Sequence, residues 1–268
     1  MIEEFVEQAV SWNCALGDED RTEKLSQAKA MLAAEPALAS DPLAAMISGN
    51  AELFGAALAG GEISATGTCG PRSWQPLLYC CFSRFWADEE ASLGLPINAS
   101  ILLAAGADPN ASFELEGERE SCLYGAVGVV GDPSLTAMLV KHGAEVNEGE
   151  VAYHVAEFPG SACAKVLFEN GLSPGNQATV LLRKLDFDDL EGTREILEMG
   201  ADPDGMGIWG KTPLHQAIMR GRSLETIKLI LGYGADPGIA RKDGTKTMDL
   251  ARKTGNEELI SMLEKASR

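Results

Sequence analysis

The chain is short of most things that chemistry or membranes require. Only three histidines occur in 268 residues, aromatic side chains make up 6%, and 22 basic residues face 40 acidic ones. The formal charge of −18 repels phosphate backbones, which argues against nucleic acid as a partner. Most of this charge reads as a solvated acidic surface. No uninterrupted apolar stretch approaches the ~20 residues of a membrane span. The opening MIEEFVEQAV has three glutamates in its first seven residues and no basic start, so it does not read as a secretory signal. A cytoplasmic protein is expected. Cysteines 14, 69, 80, 81, 122 and 163 form no C-x-x-C pair and no metal-ligand rhythm with the histidines, so packed, reduced thiols and no metal or cofactor are expected. Scarce aromatics amid abundant alanine and leucine favour helix-on-helix packing over a sandwich or barrel.

What the chain does have is a returning phrase: LLAAGADPN at 102–110, LVKHGAEVN at 139–147, LFENGLSPG at 167–175, ILEMGADPD at 196–204 and LILGYGADPG at 229–238. Its glycines, Gly106, Gly143, Gly171, Gly200 and Gly234, lie 37, 28, 29 and 34 residues apart. Each phrase predicts an amphipathic helix closed by a glycine in the left-handed conformation, followed by an extended exit where Asp-Pro or a similar pair stands. About a dozen residues on, a second phrase follows, clearest in GKTPLHQAIMRG at 210–221. There Thr212 caps a helix, Pro213 suits its first turn, and Leu214 and Ala217 face inward. Weaker copies stand at 75–82, 121–128, 151–158 and 246–256, and an older relative at 41–61.

Together these phrases resemble the ankyrin repeat, a β-turn and two antiparallel helices with a period of about 33 residues and a T-P-L-H-x-A signature. The resemblance covers roughly residues 41–268 and is strongest over 196–260. The eroded copies are more similar to bacterial members of the family than to consensus-like animal ones. The resemblance implies an all-α solenoid of about seven helix-turn-helix units with short β-hairpin or loop fingers. Residues 1–40 read as a divergent capping pair with Phe5, Ala9, Trp12 and Leu16 on one face, 41–268 as the array, and about 234–268 as its carboxy-terminal cap. The short spacings predict two clipped fingers in the middle. The segment 85–98 reads as an insertion projecting from the edge opposite the fingers.

Residues 205–212, GMGIWGKT, match both G-x-x-x-x-G-K-T and G-x-G-x-x-G. A phosphate site needs a strand before the loop and free N–H groups at the helix start. Here a helix precedes, and Pro213 removes a donor. The glycines are therefore expected in a finger, Gly205 and Gly207 in its extended arm and Gly210 at the turn. The family's histidine slot holds His215 and His154, each implied to tie a finger to the next helix; His142 suits a helix carboxy terminus. Cys80 and Cys81 replace paired alanines. Asp186, Asp188 and Asp189 read as a solvated acidic turn rather than a metal cluster.

No catalytic constellation is left over, and the resemblance implies a non-catalytic scaffold or adaptor that binds a protein or peptide. Carried over by position, its binding slots hold Trp74, Phe82, Leu115, Glu116, Glu118, Ile208, Trp209, Lys211, Met219 and Lys242, followed by Asp243 and Thr245. Trp209 is the foremost, since tryptophan dominates binding energy at exposed tips. Residues 86–150 hold 12 acidic and two basic side chains, whereas 205–268 hold seven and 11. The middle would attract a basic segment and the carboxy-terminal end an acidic one. Two alternatives remain: an enzyme or small-molecule site in the aromatic and cysteine-rich stretch 70–86, and self-association.

Overall fold

The computed structural model describes residues 1–14 and 20–267; Leu16 lies outside them. The chain divides into two compact units, Met1–Val146 and Asn147–Arg268.

In the first unit, α1 (Ile2–Ala9) packs on α2 (Arg21–Ala34), and a short α3 (Pro36–Ala39) leads into a series of pairs. These are α4 (Pro42–Ile47) with α5 (Ala51–Gly60), α6 (Pro76–Cys81) with α7 (Ala91–Ala104), and α8 (Cys122–Tyr124) with α9 (Pro133–Lys141). A π turn, Gly125–Val130, continues α8. The first helices α4, α6 and α8 touch in succession, as do the second helices α5, α7 and α9. Between the second and third pairs stands a hairpin, β1 (Ser112–Leu115) and β2 (Glu118–Ser121), antiparallel with Leu115 opposite Glu118. Its two turn residues, Glu116 and Gly117, have φ of 55° and 93°. Positive φ at both centres is what a tight two-residue hairpin of matching twist requires.

The second unit repeats the arrangement with α10 (Gly149–His154), α11 (Ala162–Glu169), α12 (Pro174–Asp186), α13 (Leu190–Glu198), α14 (Pro213–Met219), α15 (Leu224–Gly232), α16 (Thr247–Thr254) and α17 (Glu257–Ala266). Here α10, α12, α14 and α16 form the continuous inner row. Small side chains let these rows approach: Ala152, Ala217 and Ala251 are fully buried.

Local sequence explains where the helices begin and end. Proline occupies the first helical turn of α4, α6, α9, α12 and α14, where its missing N–H costs nothing. Asp41, Asp132 and Thr212 accept backbone N–H bonds as caps. The five phrase glycines all end their helices at φ between 90° and 97°. Four residues after two of them an asparagine crosses to the next repeat. Asn110 Nδ2 donates to Gly143 O (2.9 Å) and its Oδ1 accepts from Glu145 N (2.8 Å). Asn147 does the same to Gly171 O (3.1 Å) and Ser173 N (2.7 Å). Asp204 keeps only the accepting half, from Asp236 N at 2.9 Å. Gly175 and Gly238 hold this slot elsewhere and have no side chain to offer.

The middle fingers are clipped: only Leu172 and Ser173 separate Gly171 from α12. Three sequence expectations are corrected. Residues 85–98 do not project. They supply the 3-10 turn Arg84–Ala87 and the first half of α7, with Phe85, Ala91, Leu95 and Asn98 buried. Asp186, Asp188 and Asp189 are not a merely solvated turn. Asp189 pairs with the fully buried Lys184 at 2.9 Å and caps α13 through Gly192 N, while Asp186 accepts from Arg183 (3.1 Å), Arg220 (2.6 Å) and Gln216. Asp188 pairs with Arg222 at 3.1 Å. Lys184 Nζ also donates to Phe158 O and Gly160 O, at 2.8 and 2.5 Å, so this buried charge is compensated. Finally, no strand is assigned to residues 201–212; the finger there is a series of turns.

Candidate functional site

In the second unit, the finger 203–212 runs from the end of α13 to the start of α14. Its glycines serve contact with neighbouring chain. A β-carbon at Gly205 would meet Ala178 Cβ at 2.8 Å, one at Gly207 would meet Leu182 Cδ1 at 2.7 Å, and one at Gly210 would meet Lys242 Cδ at 2.5 Å. The finger therefore lies flat on α12 on one side and under Lys242 on the other. A helix, not a strand, precedes it, and the capping hydroxyl of Thr212 faces His215 rather than an open anion cradle.

With its glycines pressed inward, the finger turns Ile208 and Trp209 outward, 66% and 37% exposed. The Trp209 ring lies 6.0 Å from that of Tyr153, and Lys211 Nζ stands 5.5 Å above its centre. Burial holds the Lys211 ammonium below the ordinary lysine range, Asp186 opposes that shift, and Arg220 and Arg241 add to it. Lys242 N donates to Gly210 O at 3.3 Å, joining this finger to the next. Met219, 47% exposed, ends α14 and receives Arg241 Nη1 on its sulfur at 3.6 Å. Asp243 is exposed and pairs with Arg241 at 3.2 Å, and Thr245 is half-buried. The structure thus brings Lys211 to Trp209 and Lys242 to the adjoining Gly210, with Ile208 next in the chain, while Met219 meets Arg241 of the following finger.

In the first unit the hairpin tip exposes Glu116 and Glu118, with Leu115 half-buried. The other two candidates there are corrected. Trp74 is 5% exposed and Phe82 is fully buried, so neither side chain is available to a partner. Trp74 stacks on Phe113 of the hairpin (4.1 Å, 21°) and meets Trp12, Tyr79 and Phe82 at 5.2–5.7 Å. Arg72 lies over Trp12 at 3.7 Å and donates to Val10 O and Ser11 O; burial brings its pKa down to about 10, partly offset by Glu7. The aromatic stretch 70–86 is thus a packed core that anchors the hairpin. A cleft of about 710 Å³ beside it reaches only Phe85 of that stretch and is otherwise bordered by residues such as Lys29, Asn50 and Asp88.

The remaining reactive groups are occupied. His215 Nε2 lies 3.1 Å from Thr245 O, the link to the next finger that its slot implies. His154 departs from that pattern: Nδ1 meets Glu157 at 2.6 Å and Nε2 meets Glu150 at 3.1 Å. His142 Nδ1 bonds Met138 O at 2.8 Å, closing α9. Cys80 and Cys81 are fully buried, which raises both thiols well above their ordinary range, and burial pushes Cys69 up to about 11. Such thiols are poor nucleophiles at neutral pH. Among the described residues, no helix is long and apolar enough to cross a membrane.

Sequence reasoning missed the asparagine ladder, although its signal was present as Asn at one fixed offset after the glycine. It also missed Phe113, whose role depends on partners distant in the chain.

Comparisons agree with this geometry. A 2-5A-dependent ribonuclease of Mus musculus is 35% identical over 86 residues, which are 30% of this chain and 12% of that protein. A putative E3 ubiquitin-protein ligase, XBAT35 of Arabidopsis thaliana, is 24% identical over 130 residues, 46% of this chain and 28% of that protein. The chain therefore spans only a minor part of either relative. The crystal structure of the human ASB11 ankyrin repeat domain superposes with a TM-score of 0.64 over 83% of this chain and 96% of that one, at 20% identity. Residues 209–242 match the ankyrin repeat family profile, so the repeat is present by sequence there, and the fold around it is that of an ankyrin repeat domain.

Proposed function

We propose that the protein is a non-catalytic scaffold or adaptor, with residues 1–40 capping an ankyrin array over 41–268 that ends in a capping repeat at about 234–268. Ankyrin repeats generally mediate protein–protein interaction, and the relatives matched here carry names of larger proteins of which the shared region is a fraction. The partner docks on Ile208, Trp209, Lys211, Met219 and Lys242, with the acidic hairpin tip Leu115, Glu116 and Glu118 available to a basic segment. One observation carries this reading: Trp209 keeps more than a third of its surface in water at a finger whose three glycines are all used to press its backbone against neighbours. A large ring left exposed on a well-supported tip is the kind of residue that dominates association energy.

The test is Trp209→Ala. Partner capture from the native host should fall by tenfold or more, since hot-spot truncation costs about 2 kcal/mol or more. The melting temperature should stay within a few degrees of wild type. A large drop in melting temperature with unchanged capture would make Trp209 a packing residue against Tyr153 instead.

A further inference from the structure

The carboxy-terminal part of the second unit, which includes the finger at 203–212, differs from the rest of the chain in the sign of its formal charge. Residues 205–268 hold 11 basic against seven acidic side chains, in a protein with 22 and 40. Four of these cations surround the exposed apolar trio. Lys211 stands over Trp209, Lys242 covers Gly210, Arg241 touches the Met219 sulfur, and Arg220 follows Met219 directly. Arg220 is paired with Asp186 and Arg241 with Asp243. Among the described residues, Lys211 and Lys242 enter no ion pair.

We propose that this surface binds an acidic peptide segment of another protein, anchored by one bulky apolar side chain against Trp209 and Met219, with carboxylates meeting Lys211 and Lys242. The inference rests on the protein-binding reading above and specifies the chemistry of the partner. Burial of the anchor supplies most of the affinity, and the two lysines supply steering and selectivity. A basic segment would be disfavoured here, because Lys211 stands over the Trp209 ring and Lys242 covers the neighbouring Gly210. Flanking carboxylates also suit Lys211, a half-buried residue, because a contact there is screened less than one at a fully open surface.

The experiment is selection of a random dodecapeptide phage library on the wild-type full chain alone, with the winners then compared on Trp209→Ala and on the double variant Lys211→Gln/Lys242→Gln. The best peptide is then synthesised with a fluorescein label and its Kd measured by anisotropy. The expected winners are rich in Asp and Glu around a Trp, Phe or Leu. Their Kd should rise about tenfold or more in the lysine double variant and rise again with added sodium chloride. Both variants should melt with the wild type; a second pair, Lys211→Arg and Lys242→Arg, should keep binding and so separates charge from folding. Winners that need Trp209 but are neutral or basic would overturn the acidic preference while leaving the binding surface standing. Winners indifferent to all these variants would remove the surface as well. Winners resembling residues 112–121, together with self-association in sedimentation, would make a second copy of this chain the occupant and overturn a foreign partner. Displacement by an unrelated single-stranded oligonucleotide as readily as by unlabelled peptide would also overturn it.

Discussion

His215 uses both ring nitrogens on the fold itself. Nδ1 lies 2.8 Å from Thr212 Oγ1 and 3.4 Å from Thr212 N, whereas Nε2 lies 3.1 Å from Thr245 O. The neutral ring fits: Nε2–H donates to the carbonyl, and Nδ1 accepts from residue 212. Burial lowers its pKa below the ordinary value; the Thr245 carbonyl and Asp243 raise it in part, and Arg241 lowers it further. A base whose folded pKa is depressed binds fewer protons folded than unfolded, so its contribution to stability is complete above the unfolded value and falls with pH. Urea titrations should show the wild type losing stability relative to His215→Gln as pH drops below about 6.5. A constant difference across that range would show that the ring tolerates its charge. This residue was legible because its slot in TPLHQA carries the role. Trp74 was not, because the Phe113 ring that covers it comes from a hairpin formed far downstream, and nothing local at residue 74 announces it.

Elements obey the glycine punctuation where the glycine serves a local conformation, and depart from it where the glycine serves a long-range contact. The helix ends at Gly106, Gly143, Gly171, Gly200 and Gly234 could be read directly, as could the clipped fingers, because both follow from spacing. The segment 85–98 could not. Gly94 and Pro96 look like helix breakers, yet both lie inside α7. Gly94 is there because α7 crosses the turn after α4 so closely that a β-carbon would lie 1.8 Å from Gly49 O, which is backbone and cannot rotate away. Gly94→Ala tests this, since two effects oppose. Helix propensity favours alanine by up to about 1 kcal/mol, whereas overpacking against a fixed carbonyl costs about 1–3 kcal/mol. The overlap should win, and the urea midpoint should fall without a change in slope. A variant as stable as wild type would mean that α7 can slide, contrary to the packing described.

On the scale of the molecule, each unit is held by contacts between successive pairs, so damage should stay local. In the second unit α16 touches α14 and α17, and α14 in turn touches α12. Stability in such an array is a sum of pair and neighbour terms, and the last pair has one neighbour where inner pairs have two. Gly238 stands where Asn110 and Asn147 bridge forward, so the α16–α17 pair is not reinforced by such a side-chain link. Leu263 is fully buried in α17, and its truncation to alanine should remove about 2–5 kcal/mol from that pair. Hydrogen exchange of Leu263→Ala should therefore accelerate across 247–266, weaken more modestly in α14, and leave α12 and α13 close to wild type. Uniform acceleration over residues 147–267 would instead show the unit opening as one cooperative block, which would require neighbour terms large enough to outweigh the loss in any single pair.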